Sequence, residues 1–368
     1  MALAGAMLVG MSNAQQFYFS YLVSYLFVLT LAVGALGFVL IQFVTRAGWS
    51  VAVRRTAEHV MGTIPFLLLL SIPVLIGFDQ LFTWADASKI AHDPILHGKQ
   101  PYLNPGFFYL RTAVFLLSWA AIGYWFRKRS LAQDSEGGSR ITRTLQSASA
   151  PAIAWFAISL TFFSFDWIMS LDPHWYSTVF GVYVFGGSFM ASLALIILLV
   201  LILQHGDLLT NMVNSEHLHD LGKLMFGFVV FWAYIAFSQY MLIWYANIPE
   251  ETIWYAHRLT HGWEFVTVFL AVGHFVIPFF LLLSRTTKRN KQVLLGATVW
   301  LLLMHYVDLY WLVMPVHSEG FHPHLLDLLT LLGVGGLFSA VMVRLMVGQA
   351  LIPTRDPRLA ESLSFENM

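Results

Sequence analysis

Nine stretches of the chain stay apolar for long enough to cross ~30 Å of hydrocarbon as helices. They run over residues 17–43, 59–81, 105–126, 151–171, 176–203, 223–246, 262–284, 292–313 and 325–347. Inside a bilayer each backbone group must find its partner within the protein, which a helix does segment by segment. The pattern therefore predicts an all-α, polytopic membrane protein. The charge content agrees: 11% of residues are charged and 58% hydrophobic, where a soluble domain carries about 25% charge. Ala2–Met11 is also apolar but only half a span long. It lacks the basic stretch that opens a signal peptide, so it reads as the tail of a truncated first span. That makes ten transmembrane helices, and we number the spans accordingly.

Charge sets the expected orientation. Of the 20 basic residues, all but Lys89, Lys99, Arg111 and Arg258 fall on one side of the spans. That side holds Arg54 and Arg55, the Arg127–Ala150 loop, the Arg285–Lys291 cluster and the tail with Arg355 and Arg358. The positive-inside bias places it, and the C-terminus with it, in the cytoplasm, so the turn through Asp172 faces outside. Asp134–Arg140 (DSEGGSR) and the tail after Pro353 read as flexible cytoplasmic linkers. With no cysteine, the chain offers no thiolate for an iron–sulfur cluster, no covalent haem attachment and no disulfide. Nothing in the charge pattern points to a nucleic acid.

Intramembrane polar residues then acquire a depth. A carboxylate in hydrocarbon is costly unless paired, hydrated or protonated, and reads as functional by default. Asp166 lies in the outer third of span 5, and Asp172, His174 and Tyr176 follow within ten residues. Asp166, His174 and Tyr176 are the candidate catalytic group. A candidate proton path adds Asp172, Asp79 at the outer end of span 3, Arg111 in span 4, and His257, His261 and Glu264 at i, i+4 and i+7. Spacing of that kind predicts one face of a helix entering the membrane. His274 in span 8 and His305 and Asp308 in span 9 complete it, the last two being three apart and able to pair. The inner half offers almost only hydroxyls, such as Ser159, Thr161, Ser192 and Thr298, with Glu58 and His59 at the rim. Exchangeable groups strung inward from the outer surface are what a proton path requires. Other readings stand beside this one: an Asp166–Arg111 structural pair, a metal at His257 and His261, or a b-type haem between His274 and His305. Asp79 and Asp172 also fit plain interface residues. Gly181, Gly186 and Gly187 fit close helix packing.

Two long motifs, SFDWIMSLDPHWYSTVFGVYVFGGSF from Ser164 and FWAYIAFSQYMLIWYANIPEET at 231–252, with GWSVAVRRTAEHVM at 48–61, resemble the ActF family. These are membrane subunits of bacterial alternative complex III, a quinol:cytochrome c oxidoreductase, and are similar to the NrfD/polysulfide-reductase membrane subunits. The resemblance covers essentially the whole chain. It implies ten helices in two four-helix bundles: a partial first span and outer turn (1–16), spans 2–5 (17–171), spans 6–9 (172–313), and the last span with its tail (314–368). It also implies residence in the bacterial cytoplasmic membrane and a role in electron transport. The implied partners are a multihaem cytochrome c, an iron–sulfur subunit, the NrfD-like sister subunit ActC, small membrane subunits, lipids and a terminal oxidase. Quinone or menaquinone is the implied ligand, with haem and iron–sulfur clusters confined to partners. In ActC the corresponding turn looks like W-H-[S/T]-T-x-F, its histidine associated with quinol. Here Tyr176 stands in that place, a poor base near neutral pH. Two functions follow: quinol oxidation with Asp166 or His174 taking the proton, or a non-redox subunit that conducts protons. A secondary transporter is a third and more distant reading, since no pair of broken spans marks a central site.

Overall fold

The computed structural model describes residues 2–366, and among them there are helices and no strand. A short helix, α1 (Ala2–Gly10), comes first. Nine helices long and apolar enough to cross a membrane follow. They are α2 (Ala14–Val44), α3 (Val51–Ile76), α4 (Pro105–Glu136), α5 (Ser139–Leu171), α6 (Phe180–His205), α7 (Ser215–Ala246), α8 (Trp263–Leu283), α9 (Lys291–Val316) and α10 (Leu325–Met346). A last short helix, α11 (Leu359–Leu363), lies in the tail. Each long helix covers one of the nine apolar stretches. The chain is a multi-pass helical membrane protein.

A helix that is apolar all round has to be covered all round. α2 and α6 are of that kind, and 83% of the apolar window of each is buried, against 28–50% for the other spans. They form the central pair. α2 also packs on α3, α5, α9 and α10, and α6 on α5, α7 and α9. α4 is held between α3 and α5, α8 beside α7 and α9, and α1 lies on α10.

Small residues let the central pair close up, as in other intramembrane contacts. A Cβ on Gly34 of α2 would stand 2.4 Å from the Ser188 carbonyl oxygen of α6 and 2.8 Å from Ser192 Cβ. Ser192 Oγ, one turn on, donates to Leu31 O at 2.5 Å across the same seam. Gly181 meets α5 similarly, its added Cβ falling 2.8 Å from Thr161 Cα. α3, by contrast, is built of pieces, Val51–Met61, Ile64–Leu70 and Ile72–Ile76. Pro65 and Pro73 stand at the start of the second and third, where a missing N–H is tolerated and an uninterrupted helix is not.

Two expectations are corrected. Asp134–Arg140 is no flexible linker and Arg127–Ala150 no long loop: α4 runs on to Glu136, α5 begins at Ser139, and only Gly137 and Gly138 intervene, with φ of 70° and 77°. Hydropathy sees where a helix leaves the bilayer, not where it stops, and two glycines able to adopt positive φ make the turn. The tail after Pro353 is docked as well. Arg54 Nη2 reaches Asp356 Oδ2 at 2.6 Å, and Ser362 Oγ donates to Trp49 O at 2.6 Å while accepting from Ala52 N at 3.1 Å.

Gly34→Ala should destabilise the protein by ~1–3 kcal/mol, the usual cost of forcing a methyl into a filled contact. A Cβ on Gly227 of α7 meets nothing within 4 Å, so Gly227→Ala is the reference. The thermal midpoint of the purified protein should fall for the first and hold for the second; equal midpoints would show that the α2–α6 seam has slack.

Candidate functional site

The first candidate group does not converge. Asp166 is fully buried, and both its oxygens are taken by Arg111: Nε to Oδ2 at 2.7 Å and Nη2 to Oδ1 at 2.9 Å. Arg111 also donates to Tyr102 O at 3.0 Å, and its guanidinium lies over the Tyr102 and Phe107 rings at 3.9 and 4.2 Å. This is the bidentate, stacked setting in which arginine holds a carboxylate as a structural pair. His174 is exposed and donates from Nε2 to Asp93 Oδ2 at 2.5 Å. That bond holds the Asp93 carboxyl below its ordinary value. Tyr176 is exposed, with the Lys99 ammonium 5.6 Å from its ring centre. Asp79 is exposed near the start of the short helical turn Phe78–Leu81. Among the described hydrogen bonds and ion pairs, none links any two of these four acids and bases.

A second set does meet, in a basin of about 950 Å³ at the end opposite the basic cluster. Asp172, His174, His257 and His261 line it, joined by His92, Asp93, His317 and Glu319, which the sequence reading did not single out. Arg258 lies at the same basin, 1% exposed, stacked 3.5 Å from the Trp254 ring centre and bonded to the carbonyls of Trp254, Trp311 and Leu312. Burial pushes its guanidinium below the ordinary value, and the charge of Asp172 works against that. The expected single helix face of His257, His261 and Glu264 is not there. The helix Pro249–His257 stops at the first of them, and the chain turns at His261 and Gly262 with φ of 55° and 94° before α8 begins. Glu264 faces back, accepting from Gly262 N at 2.8 Å. Among the described residues no three His, Asp or Glu side chains are placed to hold a metal ion.

The third set is buried between the spans. Asp308 of α9 accepts from Tyr183 Oη of α6 through Oδ1 and from Trp232 Nε1 of α7 through Oδ2, the latter at 3.2 Å. His305, one turn back, bonds through Nε2 to Thr30 Oγ1 of α2 at 2.9 Å, so that nitrogen is not free for a haem iron. The two do not pair with each other as their spacing predicts; each reaches a different neighbouring helix. His274 of α8 lies against Trp232, ring centres 3.9 Å apart, and neither of its ring nitrogens has a partner. The helix around it, Ala271–Val276, is wound as a π-turn, a feature frequent at functional sites. The cause is local. Pro278 has no N–H for the His274 carbonyl four residues back, and its ring crowds that oxygen. Trp300 Nε1 takes up the neighbouring Gly273 carbonyl at 2.7 Å.

Two further polar clusters escaped the sequence reading. At the basic end Glu58 is clasped by Arg54 and Arg55, at 3.3 and 3.0 Å, and Arg55 continues to Asp134 at 2.8 Å. His59 beside them is buried with both ring nitrogens unpartnered. At the start of α10, Asp327 accepts from Ser20 Oγ, Gln16 Nε2, Tyr310 Oη and His324 N at 2.5, 3.3, 3.1 and 2.8 Å.

Breaking a buried pair from one side costs ~3–5 kcal/mol, because a charge is left without its partner. Asp166→Asn and Arg111→Gln should therefore each lower the amount of folded protein in membranes and its thermal midpoint, and the double variant should recover much of the loss. A single variant as stable as the wild type would leave the pair without a structural role and return Asp166 to the candidates for proton transfer.

No known protein family matches the chain, and no curated protein is similar to it.

Proposed function

We propose that the chain is an ActF-like membrane subunit of a respiratory quinol:cytochrome c oxidoreductase of the alternative complex III type, and that it conducts protons without a quinol site of its own. The observation that carries this is the buried set Tyr183, Asp308, Trp232, His274, His305 and Thr30, spread over five spans. Ionisable groups within spans are costly to keep and mark ion or proton routes. Here they include ring nitrogens with spare capacity, as a relay needs. The motifs at 48–61, 164–188 and 231–252 supply the family resemblance. In this reading α1 counts as the first of ten spans, α2–α5 and α6–α9 make the two four-helix bundles, and α10 is peripheral.

A quinol head group would need donors and acceptors converging on one apolar space. Asp166 is saturated by Arg111, His174 is bonded to Asp93, and Tyr176 stands apart on the surface. That favours the non-redox reading over quinol oxidation within this chain. Electrons would then pass through partner subunits: the multihaem cytochrome c, the iron–sulfur subunit and the NrfD-like sister. The basin of His92, His174, His257, His261 and His317 would be the outer mouth of the proton route, with the C-terminus in the cytoplasm of a bacterial cell.

Asp308→Asn keeps the size and can keep the bond from Tyr183 to Oδ1, loses the bond from Trp232 because an amide nitrogen cannot accept it, and removes the exchangeable proton. The complex should assemble with its haem partner and keep electron transfer, while proton translocation in reconstituted vesicles falls at least ~10-fold, the scale of general acid–base effects. Undiminished translocation would sink the relay. Failure of the chain to co-purify with any haem protein would sink the assignment to such a complex.

Orientation is tested separately. With no native cysteine, Glu136→Cys at the exposed end of α4 gives a single labelling site. An impermeant thiol reagent should reach it in inside-out vesicles and miss it in intact cells; the reverse would turn the whole route around.

A further inference from the structure

α10 packs on α1 and α2 and is tied to α9 by two tyrosines. Tyr306 Oη donates to Asp327 O at 3.3 Å and Tyr310 Oη to Asp327 Oδ2 at 3.1 Å. Beside these rings lies a groove of about 350 Å³ between α8, α9 and α10, walled by Val266 and Phe269, by Val307, and by Leu328 and Leu331. It begins at His324, the residue before α10, and follows that helix inward as far as Leu331. Its polar groups are almost all engaged. Both phenols have given their protons, and the Asp327 carboxylate already accepts from Ser20, Gln16, Tyr310 and His324 N. His324 Nδ1 accepts from Leu326 N at 3.1 Å, so the ring proton sits on Nε2. Among the described lining residues, that exposed N–H is the side-chain donor left over.

We propose that the groove holds one acyl chain of a membrane glycerolipid, and that an ester or phosphate oxygen of that lipid accepts from His324 Nε2. Size excludes a partner helix. One helical turn with its side chains, ~10 Å across and ~5.4 Å long, fills more than ~400 Å³, so not even one turn enters. Water is no better suited, because a space walled by aliphatic and aromatic groups stays dry. Left empty, the walls would forfeit their dispersion contacts on one side. An extended hydrocarbon chain is thin enough to enter and restores those contacts. The groove also has the depth profile of a lipid, with a donor where the spans leave the hydrocarbon and apolar side chains below it. A quinone carries a carbonyl at each end of its ring, and this lining would leave one of them unmet. The site requires only a bilayer around the spans and does not depend on proton conduction.

The full chain in vesicles containing a phosphatidylethanolamine with a photoreactive diazirine in its acyl chain tests the site. After irradiation, adducts are mapped by mass spectrometry and compared with those on Phe237 of α7, which is 61% exposed. Val266 is 6% exposed, so lipid passing over the outside of the protein labels it less than Phe237, whereas a chain seated in the groove should label it more. Leu328→Trp, at a groove position that is 53% exposed, should fill the space and remove that excess while Phe237 stays labelled. Labelling of Val266 no stronger than that of Phe237, or an excess that survives in Leu328→Trp, would overturn the site; the wild-type comparison decides alone if the variant does not fold. An excess abolished by an added quinone would overturn it too, in favour of a quinone. A density map of the native assembly should show a chain in the groove with an oxygen in hydrogen-bond reach of His324 Nε2, and a partner side chain or a quinone ring in its place would refute the assignment.

Discussion

The close contact of α2 with α6 sets the position of the buried polar groups around His305 and Asp308. At Gly34 the helices approach until a single methyl group would meet the Ser188 carbonyl. One turn before Gly34, α2 carries Thr30; next to Ser188, α6 carries Gly187, with Tyr183 little more than a turn away. Bringing the two backbones together therefore delivers three of the groups around His305 and Asp308 at once. α9 packs against both central helices, and it inserts those two side chains into the seam. Lipid offers no hydrophobic drive for such an approach, so it depends on van der Waals fit and on cross-helix bonds such as Ser192 to Leu31.

Buried polar groups in this seam and around it meet two different fates. Asp166, Asp327 and Arg258 are saturated: each available oxygen or guanidinium nitrogen has a partner, and the bonds tie separate spans together. Saturated groups of this sort hold a fold and have nothing left with which to exchange a proton. His274 keeps both nitrogens unpartnered and His305 one, each omission costing ~1–3 kcal/mol if water does not make it good. A fold that supplies four partners to Asp327 does not lack the means to satisfy a histidine. Unpartnered ring nitrogens also occur at His59; what sets His274 and His305 apart is that they lie beside an acid held by Tyr183 and Trp232.

The spans were legible because crossing a bilayer imposes a length and a composition on each of them separately, and both can be read along the chain. The ends were not. α4 and α5 extend into water as polar helix, which leaves no trace in hydropathy, and only Gly137-Gly138 betrays the turn between them. The docking of Asp356 and Ser362 depends on partners about 300 positions away in the sequence, beyond the reach of any local pattern. Helical spacing misled at His257, His261 and Glu264 because His261 and Gly262 adopt positive φ, and glycine beside histidine was the one available hint. At Asp166 the depth argument had already named Arg111 as a partner. Asp327 lay at a span end, where charge is ordinary, and passed unremarked; Arg54 and Glu58 were noted singly at the basic side and the rim, without the clasp between them.

The π-turn in α8 shows how a sequence rule and a tertiary contact divide the work. Pro278 dictates that the α-helical ladder be interrupted at His274, and the sequence states this without help from the fold. It does not say how the freed carbonyl is satisfied, and in hydrocarbon an unsatisfied one is expensive. Next to it, α9 supplies a partner for the neighbouring carbonyl: Trp300 donates to Gly273 O. Gly273 has no side chain to obstruct it, and a Cβ there would come within 2.5 Å of Met304 Sδ on the same helix. α9 thus stabilises the widened turn at one level and presents His305 and Asp308 at the next. The helix that carries the acid of the cluster is also the one that keeps its most isolated histidine in place.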